Sequence, residues 1–436
     1  MFAYWLATIP LALICFLPSL SAENEPVEGP PFVFSHELVR EELRSGERFK
    51  LSPIAHVVDY GYEFRIDSDF GDFQARGIRE LEMTVQEIEA LEKLEEIGKT
   101  KAFATSFSEA LKNPVVRTWA VARRPITTVT RIPGGIIRYL QGKFFEVKRG
   151  SEKLAAKSKE YRFMGEGKER EPVGEKVTGA AKKVGSTTKK LSRRHLGFDK
   201  AKRDWSRRLK VDPYTTNEYL QFELERIAWA STVGSFAGEF AVPTSSVLSY
   251  TLQAQEMVWS KSEVELERLN SKSLKKMGVD TSVLVQFDEL DHYTLTEKTE
   301  LVLALKELDV EGRLDLIQLL LEISSREEAM LMVEIVSVIG NYHKWMKPIQ
   351  EIGIRRGLAV CFDVEGSMML PLALDYLHWS PEISDVLLSE ELDEKNRSLW
   401  ISGSASHISQ RRLSLNNWNL EEKCFETFDS FREGKG

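Results

Sequence analysis

The chain has 436 residues, 42% of them hydrophobic and 10% aromatic, which allows roughly two to four cored units and excludes a disordered polymer. Its net charge of −8 conceals a division along the sequence: 28 Lys and Arg stand against 9 Asp and Glu between Lys112 and Lys210, while the remainder carries 31 against 58. Three cysteines and no CxxC exclude a disulfide-rich scaffold and a cysteine zinc site, and an acidic body with one basic arm points to an anionic partner or to docking of the arm on the body.

In chain order, residues 1–22 (MFAYWLATIPLALICFLPSLSA) are apolar from Phe2 to Leu20 and end in small residues, with Ser19 and Ser21 placed for cleavage. They read as a secretory signal peptide. The absence of Lys or Arg ahead of the run, and its near-spanning length, leave an N-terminal anchor as the alternative. Cys15 lacks the small preceding residue of a lipidation site. Residues 23–31 (ENEPVEGPP) have the acidic, proline-rich composition of a tether.

Residues 32–112 read as a small α+β domain. The strand-like runs SPIAHVVDYGYEFRI and DFQARG flank a turn cluster at Asp67 to Asp72. A helix follows from Ile78 to Ile97 on Leu81, Val85, Ile88, Leu91 and Leu94, then another from Lys101 to Lys112.

Residues 113–210 form the basic arm. Ile126, Val129, Ile136, Ile137 and Leu140 share one side of an amphipathic pattern, with Arg131 and Arg138 opposite, so these apolar residues are expected to face a membrane. Lys143, Lys182, Lys183, Lys189, Lys190, Arg193 and Arg194 continue the positive charge into a Gly-punctuated stretch poor in aromatic residues. Nucleic acid is not expected as a partner, because stacking rings are sparse and export removes the opportunity.

Residues 211–350 read as a helical domain. Capping boxes are expected at Thr215 with Glu218, Thr294 with Glu297 and Ser324 with Glu327. The runs LVLALKEL, RLDLIQLLLEI and EEAMLMVEIVSVIGNYH suggest antiparallel hairpins in series. Residues 351–430 read as a small α/β domain of order ββαβα(β), with Pro371 marking an edge or bulged strand and NLEEKCFETF a last strand. Residues 431–436 are a tail. The fold class expected is therefore multi-domain and mainly α, with an α+β N-terminal domain, a helical array and an α/β C-terminal domain.

The run KAKRDWSRRLKVDPYTTNEYLQFELERIAWAS, with HYTLTEKTELVLALKELDVEGR and RSLWISGSAS beyond it, resembles segments of an uncharacterised group of exported bacterial proteins with no assigned activity. The resemblance covers the last half of the chain. It implies a bacterial envelope protein, in the periplasm or cell envelope, and carries over no functional residues.

No catalytic, nucleotide or metal motif stands out, and no cofactor is expected. Trp400 to Ser406 places a Gly/Ser loop before a helix, as an anion-binding loop does, but one glycine and no following lysine make N-capping the plainer reading. Asp288, Glu289, Asp291 and His292 crowd a helix end without completing a metal set. Asp363, Asp375 and Ser404, near strand ends, form the alternative site of a hydrolase; His378, three residues from Asp375, would point away from it on a strand. Cys361 and Cys424 are the pair available for a disulfide. The favoured function is non-enzymatic binding or scaffolding by the basic arm at an anionic membrane surface or envelope polymer, with an unidentified protein partner left open.

Overall fold

The computed structural model describes residues 27–122, 139–140, 197–233, 236 and 251–434. These residues build a mainly helical molecule of mixed α and β content, with a five-stranded sheet near each end of the chain.

The first sheet comprises β1 (Phe32–Phe34), β2 (Phe49–Leu51), β3 (Ile54–Val58), β4 (Gly61–Ser68) and β5 (Phe73–Arg76). Long β4 is the hub, pairing antiparallel with β2, β3 and β5. The run expected as one strand from Ser52 to Ile66 is folded in two: Asp59 and Tyr60 take φ of 49° and 64°, consecutive left-handed residues of the kind a two-residue hairpin turn requires. Such a conformation is costly for tyrosine. Its side chain is held elsewhere in the molecule, as described below. The helices at Gly77–Gly98 and Lys101–Ala110 form as the periodicity predicts, with Leu81, Val85, Ile88, Leu91 and Leu94 buried.

Helix starts in the middle of the chain differ in detail from expectation. Thr294 and Glu297 make the reciprocal capping box, with bonds of 3.2 and 2.9 Å. The Glu218–Val233 helix is instead capped by Asn217, whose Oδ1 accepts from Tyr219 and Leu220 N–H at 3.1 Å. Thr215 is drawn away to donate its hydroxyl proton to Glu87. The cap expected at Ser324 falls one residue later, on Ser325, which accepts from Glu328 N–H at 3.2 Å.

The second sheet has the order β12-β10-β8-β7-β6, built from β6 (Ile349–Arg355), β7 (Leu358–Asp363), β8 (Met368–Leu372), β10 (Arg397–Ile401) and β12 (Trp418–Glu421). β8, β10 and β12 run parallel, joined by helices at Pro381–Leu387 and His407–Leu415. The short parallel pair β9 (Tyr376–Leu377) and β11 (Ser404–Ala405) lies beyond the ends of β8 and β10. Pro371 sits in an interior strand rather than at an edge. It is tolerated because the β7–β8 ladder covers only Cys361↔Met369 and Phe362↔Met368, leaving no β7 partner for a Pro371 N–H to serve. The expected last strand stops at Glu421, and Cys424 opens a helix to Arg432.

Two large clusters of buried side chains cut across the expected boundaries. One unites the first sheet and the Gly77–Gly98 helix with Trp205, Leu209, Val211, Leu220 and Leu224, so the line drawn at 210 falls inside a core. The other unites the helices from Leu274 to Tyr342 with the second sheet, Tyr139, Leu140 and, from the first sheet's hairpin, Tyr60.

Candidate functional site

In a sheet with parallel strands, ligands bind outside the carboxyl ends, where loops carry polar groups. Here β8 and β10 lead into Asp375 and the Ser402–Gly403–Ser404 turn. The backbone joins Asp375 to Ser404, whose N–H donates to the Asp375 carbonyl at 3.0 Å. A side chain at position 403 is excluded, since its Cβ would lie 1.8 Å from that same carbonyl oxygen.

Asp363 does not join them. β7 runs antiparallel to β8, which puts Asp363 at the opposite end of the sheet. It is 1% exposed, accepts from the Glu365 and Ser367 N–H groups at 2.9 and 3.0 Å, and receives the Tyr342 hydroxyl at 3.3 Å. It holds a turn, and the expected trio of Asp363, Asp375 and Ser404 is not one site.

The crevice at the carboxyl ends is filled by the protein's own β3–β4 turn. The Tyr60 carbonyl accepts from the Asp375 and Tyr376 N–H groups at 3.0 and 3.1 Å, and Tyr62 N–H donates to Asp375 Oδ2 at 2.8 Å. The Tyr60 ring stacks on His378, its hydroxyl meets Ser380, and burial pushes its pKa up to about 12. This anchorage explains the left-handed tyrosine of the turn.

Glu334, from the Arg326–Asn341 helix, faces the same seam and is hydrogen-bonded to Ser402. Burial pushes both its carboxyl and that of Asp375 upward, the latter to about 7 with help from the Glu334 charge and against the pull of Tyr62 N–H and Arg76. His378 is buried with Nδ1 lacking a hydrogen-bond partner, and desolvation lowers its pKa.

The Ser402–Ser406 loop holds no anion cradle. Ser406 caps the following helix by accepting from Ser409 N–H at 3.0 Å and gives its own proton to Glu28. Around Asp288, the carboxylate accepts from Ser271 Oγ at 3.2 Å and the carbonyl from Lys298 Nζ at 2.7 Å. Among the described residues no group of three or more His, Cys, Asp or Glu is placed to hold a metal ion. Cys361 and Cys424 are free, buried thiols, raised by desolvation. β12 stands three places from β7 in the sheet order, roughly 14 Å at ordinary strand spacing, and Cys424 lies in the helix after it; the available pair is not bridged.

The basic stretch has described flanks. Helix Pro114–Ala122 and the helix at 197–209 meet on the Glu218–Val233 helix, where Val116, Phe198, Ala228 and Trp229 form a small buried cluster. One carboxylate serves both flanks: Glu225 accepts from Trp119 Nε1 at 2.6 Å and pairs with Lys202 Nζ at 3.6 Å. Between them, Tyr139 and Leu140 are 1% and 0% exposed in the large C-terminal core, and the Tyr139 hydroxyl accepts from Ala359 N–H at 3.2 Å. Leu140 therefore does not face a membrane, because core packing has already taken it out of water. Ile126, Val129, Ile136, Ile137, Arg131, Arg138, Lys143, Lys182, Lys183, Lys189, Lys190, Arg193 and Arg194 lie outside the described residues.

Hollows also occur among the described residues. A cavity of about 20 Å³ between Glu87, Asp212, Gln255 and Thr296 has room for one water molecule. A more open hollow of about 510 Å³ lies over β2, β4 and β5, with Lys50, Arg65, Asp67 and Asp72 of mixed sign on its walls. Among the described residues, no helix is long and apolar enough to cross a membrane.

Comparison with family models, curated proteins and solved structures finds no match to this chain.

Proposed function

We propose that the protein is a non-enzymatic binding or scaffolding protein that presents its basic stretch to an anionic surface, a lipid bilayer or an envelope polymer, from a folded acidic body. On this reading the body divides into an N-terminal α+β unit, a helical array and a C-terminal α/β unit, and an exported protein of the cell envelope provides the setting. One observation carries the proposal: both flanks of residues 123–196 are pinned together through Glu225. That stretch holds 20 Lys and Arg against 7 Asp and Glu. A charge of this kind contributes about 1 kcal/mol per Lys or Arg near an anionic bilayer and weakens as salt screens it. The hydrolase reading is less favoured, because Asp363 is remote and the Asp375 carboxylate is already engaged by a backbone N–H.

Vesicle co-sedimentation tests it. The full chain should pellet with vesicles containing phosphatidylglycerol, less so at high salt, and not with phosphatidylcholine alone. Replacing residues 141–196 by a Gly/Ser linker should reduce binding at least about tenfold while leaving the thermal transition in place. Equal partitioning to both vesicle types, or undiminished binding by the linker variant, would overturn the proposal.

A further inference from the structure

We propose that Trp379 and Ser406, just beyond the short strands β9 and β11, form a carboxylate-recognition site that the chain fills with its own Glu28, making residues 27–31 a releasable strap between the two sheets. The ligand class of this site is a carboxylate carried on an extended peptide.

Composition predicts a tether for residues 23–31, yet residue 28 is held at three points. Its N–H donates to the Trp379 carbonyl at 2.9 Å, and Trp379 N–H returns a bond to Glu28 Oε2 at 2.8 Å. Ser406 Oγ donates to the same carboxylate oxygen. The first two contacts read an extended backbone and an acidic side chain together. The third comes from the N-cap of the nine-residue His407–Leu415 helix, whose N-terminus favours negative charge. The donors are set in place without help from the strap: β9 and β11 pair in parallel, and Ser406 N–H donates to the Leu377 carbonyl at 2.9 Å. The preceding residue holds a carboxylate as well, since Ala405 N–H donates to Glu422 Oε1 at 2.6 Å. In both places the chain supplies the anion itself, which is why the loop stands filled.

Apolar packing holds the strap only lightly. Val27, Phe32 and Phe34 are 57%, 62% and 45% exposed, so burial of their side chains contributes little. Pro30 and Pro31 have no N–H to donate. The Pro31 carbonyl accepts from Val57 N–H at 3.1 Å, and Phe32–Phe34 then pairs with β3 along three residues. Two successive prolines keep the segment extended, which couples the seating of Glu28 to the pairing of β1. A segment with few buried apolar contacts opens locally at small cost. Opening this one presents Trp379 N–H and Ser406 Oγ to an outside carboxylate.

Hydrogen exchange of the full chain tests the strap, with acetate as the probe. In Glu28→Ala, peptides covering residues 27–34 and 377–380 should exchange roughly tenfold faster than in the wild type. Sodium acetate at about 50 mM should reverse at least half of that change at residues 377–380 by seating in the vacated place, whereas sodium chloride at the same concentration should not. Glu28→Gln keeps the bulk of the side chain and loses its charge; its exchange should rise by about threefold and should not respond to acetate. Each variant is first shown to be folded by its thermal transition. Full wild-type protection in either folded variant, acetate no more effective than chloride on Glu28→Ala, or an equal acetate response in Glu28→Gln would overturn the proposal.

Discussion

The ring of Tyr60 lies on the imidazole of His378, with centroids 4.6 Å apart and planes 23° from parallel. It fastens the first sheet to the second, since Tyr60 is the one residue of the first sheet's hairpin counted in the C-terminal core. Tyr60→Ala should lower stability by about 3 to 5 kcal/mol, and Tyr60→Phe, which removes only the hydroxyl bonded to Ser380, by about 1 kcal/mol. Chemical denaturation measures both. Equal losses for the two variants would show that the stacking contributes nothing.

His378 provides an acid-side prediction. Its folded pKa is lowered by desolvation, against the attraction of Glu28 and Glu382, so the folded chain resists its protonation. The stability this residue contributes is present above its unfolded value and falls away as pH drops through it. His378→Gln should therefore gain thermal stability relative to wild type as pH is lowered from about 7 to about 5. A constant difference between the two proteins over that interval would contradict the assignment.

Leu140→Asp separates a core residue from a lipid-facing one. A carboxylate placed at this fully buried position in the C-terminal core should cost about 4 kcal/mol or more. The expected outcome is a large drop in the thermal transition without vesicles. An unchanged transition would return Leu140 to the surface.

The Arg326–Glu297 pair joins two helices of the array through both terminal guanidinium nitrogens, and Glu297 is 3% exposed. Arg326→Ala strands that carboxylate and should destabilise by about 3 to 5 kcal/mol. Arg326→Ala combined with Glu297→Gln should recover part of the loss. A double variant no better than the single one would mean that the ion pair is incidental.

Thiol reactivity checks the cysteines. Cys361 and Cys424 are each 0% exposed, so neither should react with a thiol reagent in the native protein. Both should react on denaturation without reductant. Persistent protection after denaturation would reveal a bridge.

How much of this was legible beforehand depended on the range of the interaction. The Gly77–Gly98 helix and the Thr294–Glu297 box were readable because each is written within one helical turn or one apolar stripe. The Asp59–Tyr60 turn was missed because tyrosine is a poor residue for it, and its reason lies at His378, far along the chain. Asn217 displaced Thr215 as a cap because Glu87 competes for the threonine hydroxyl, again a distant partner. Of the candidate site, Asp375 and Ser404 were named and Asp363 was wrongly joined to them, since strand direction is invisible in composition. Glu334 did leave a trace: a carboxylate inside MLMVEIVSVI falls in a largely buried stripe and invites the question of what it meets. Glu225 left none, because its two partners arrive from either side of the basic stretch.

The footing of Tyr139 and Leu140 gives the basic stretch a mechanical character. Residues 141–196 leave from a foothold in the C-terminal core and return at Phe198, in the small cluster on the Glu218–Val233 helix. Tension along that span is therefore borne at one end by the Tyr139 bond to Ala359 on β7 and at the other by the packing of Phe198 on Trp229. Under the proposed function, a surface pulling on this segment would load two cores against each other, so the strength of the body, and not only the charge of the span, would limit how hard it could be held.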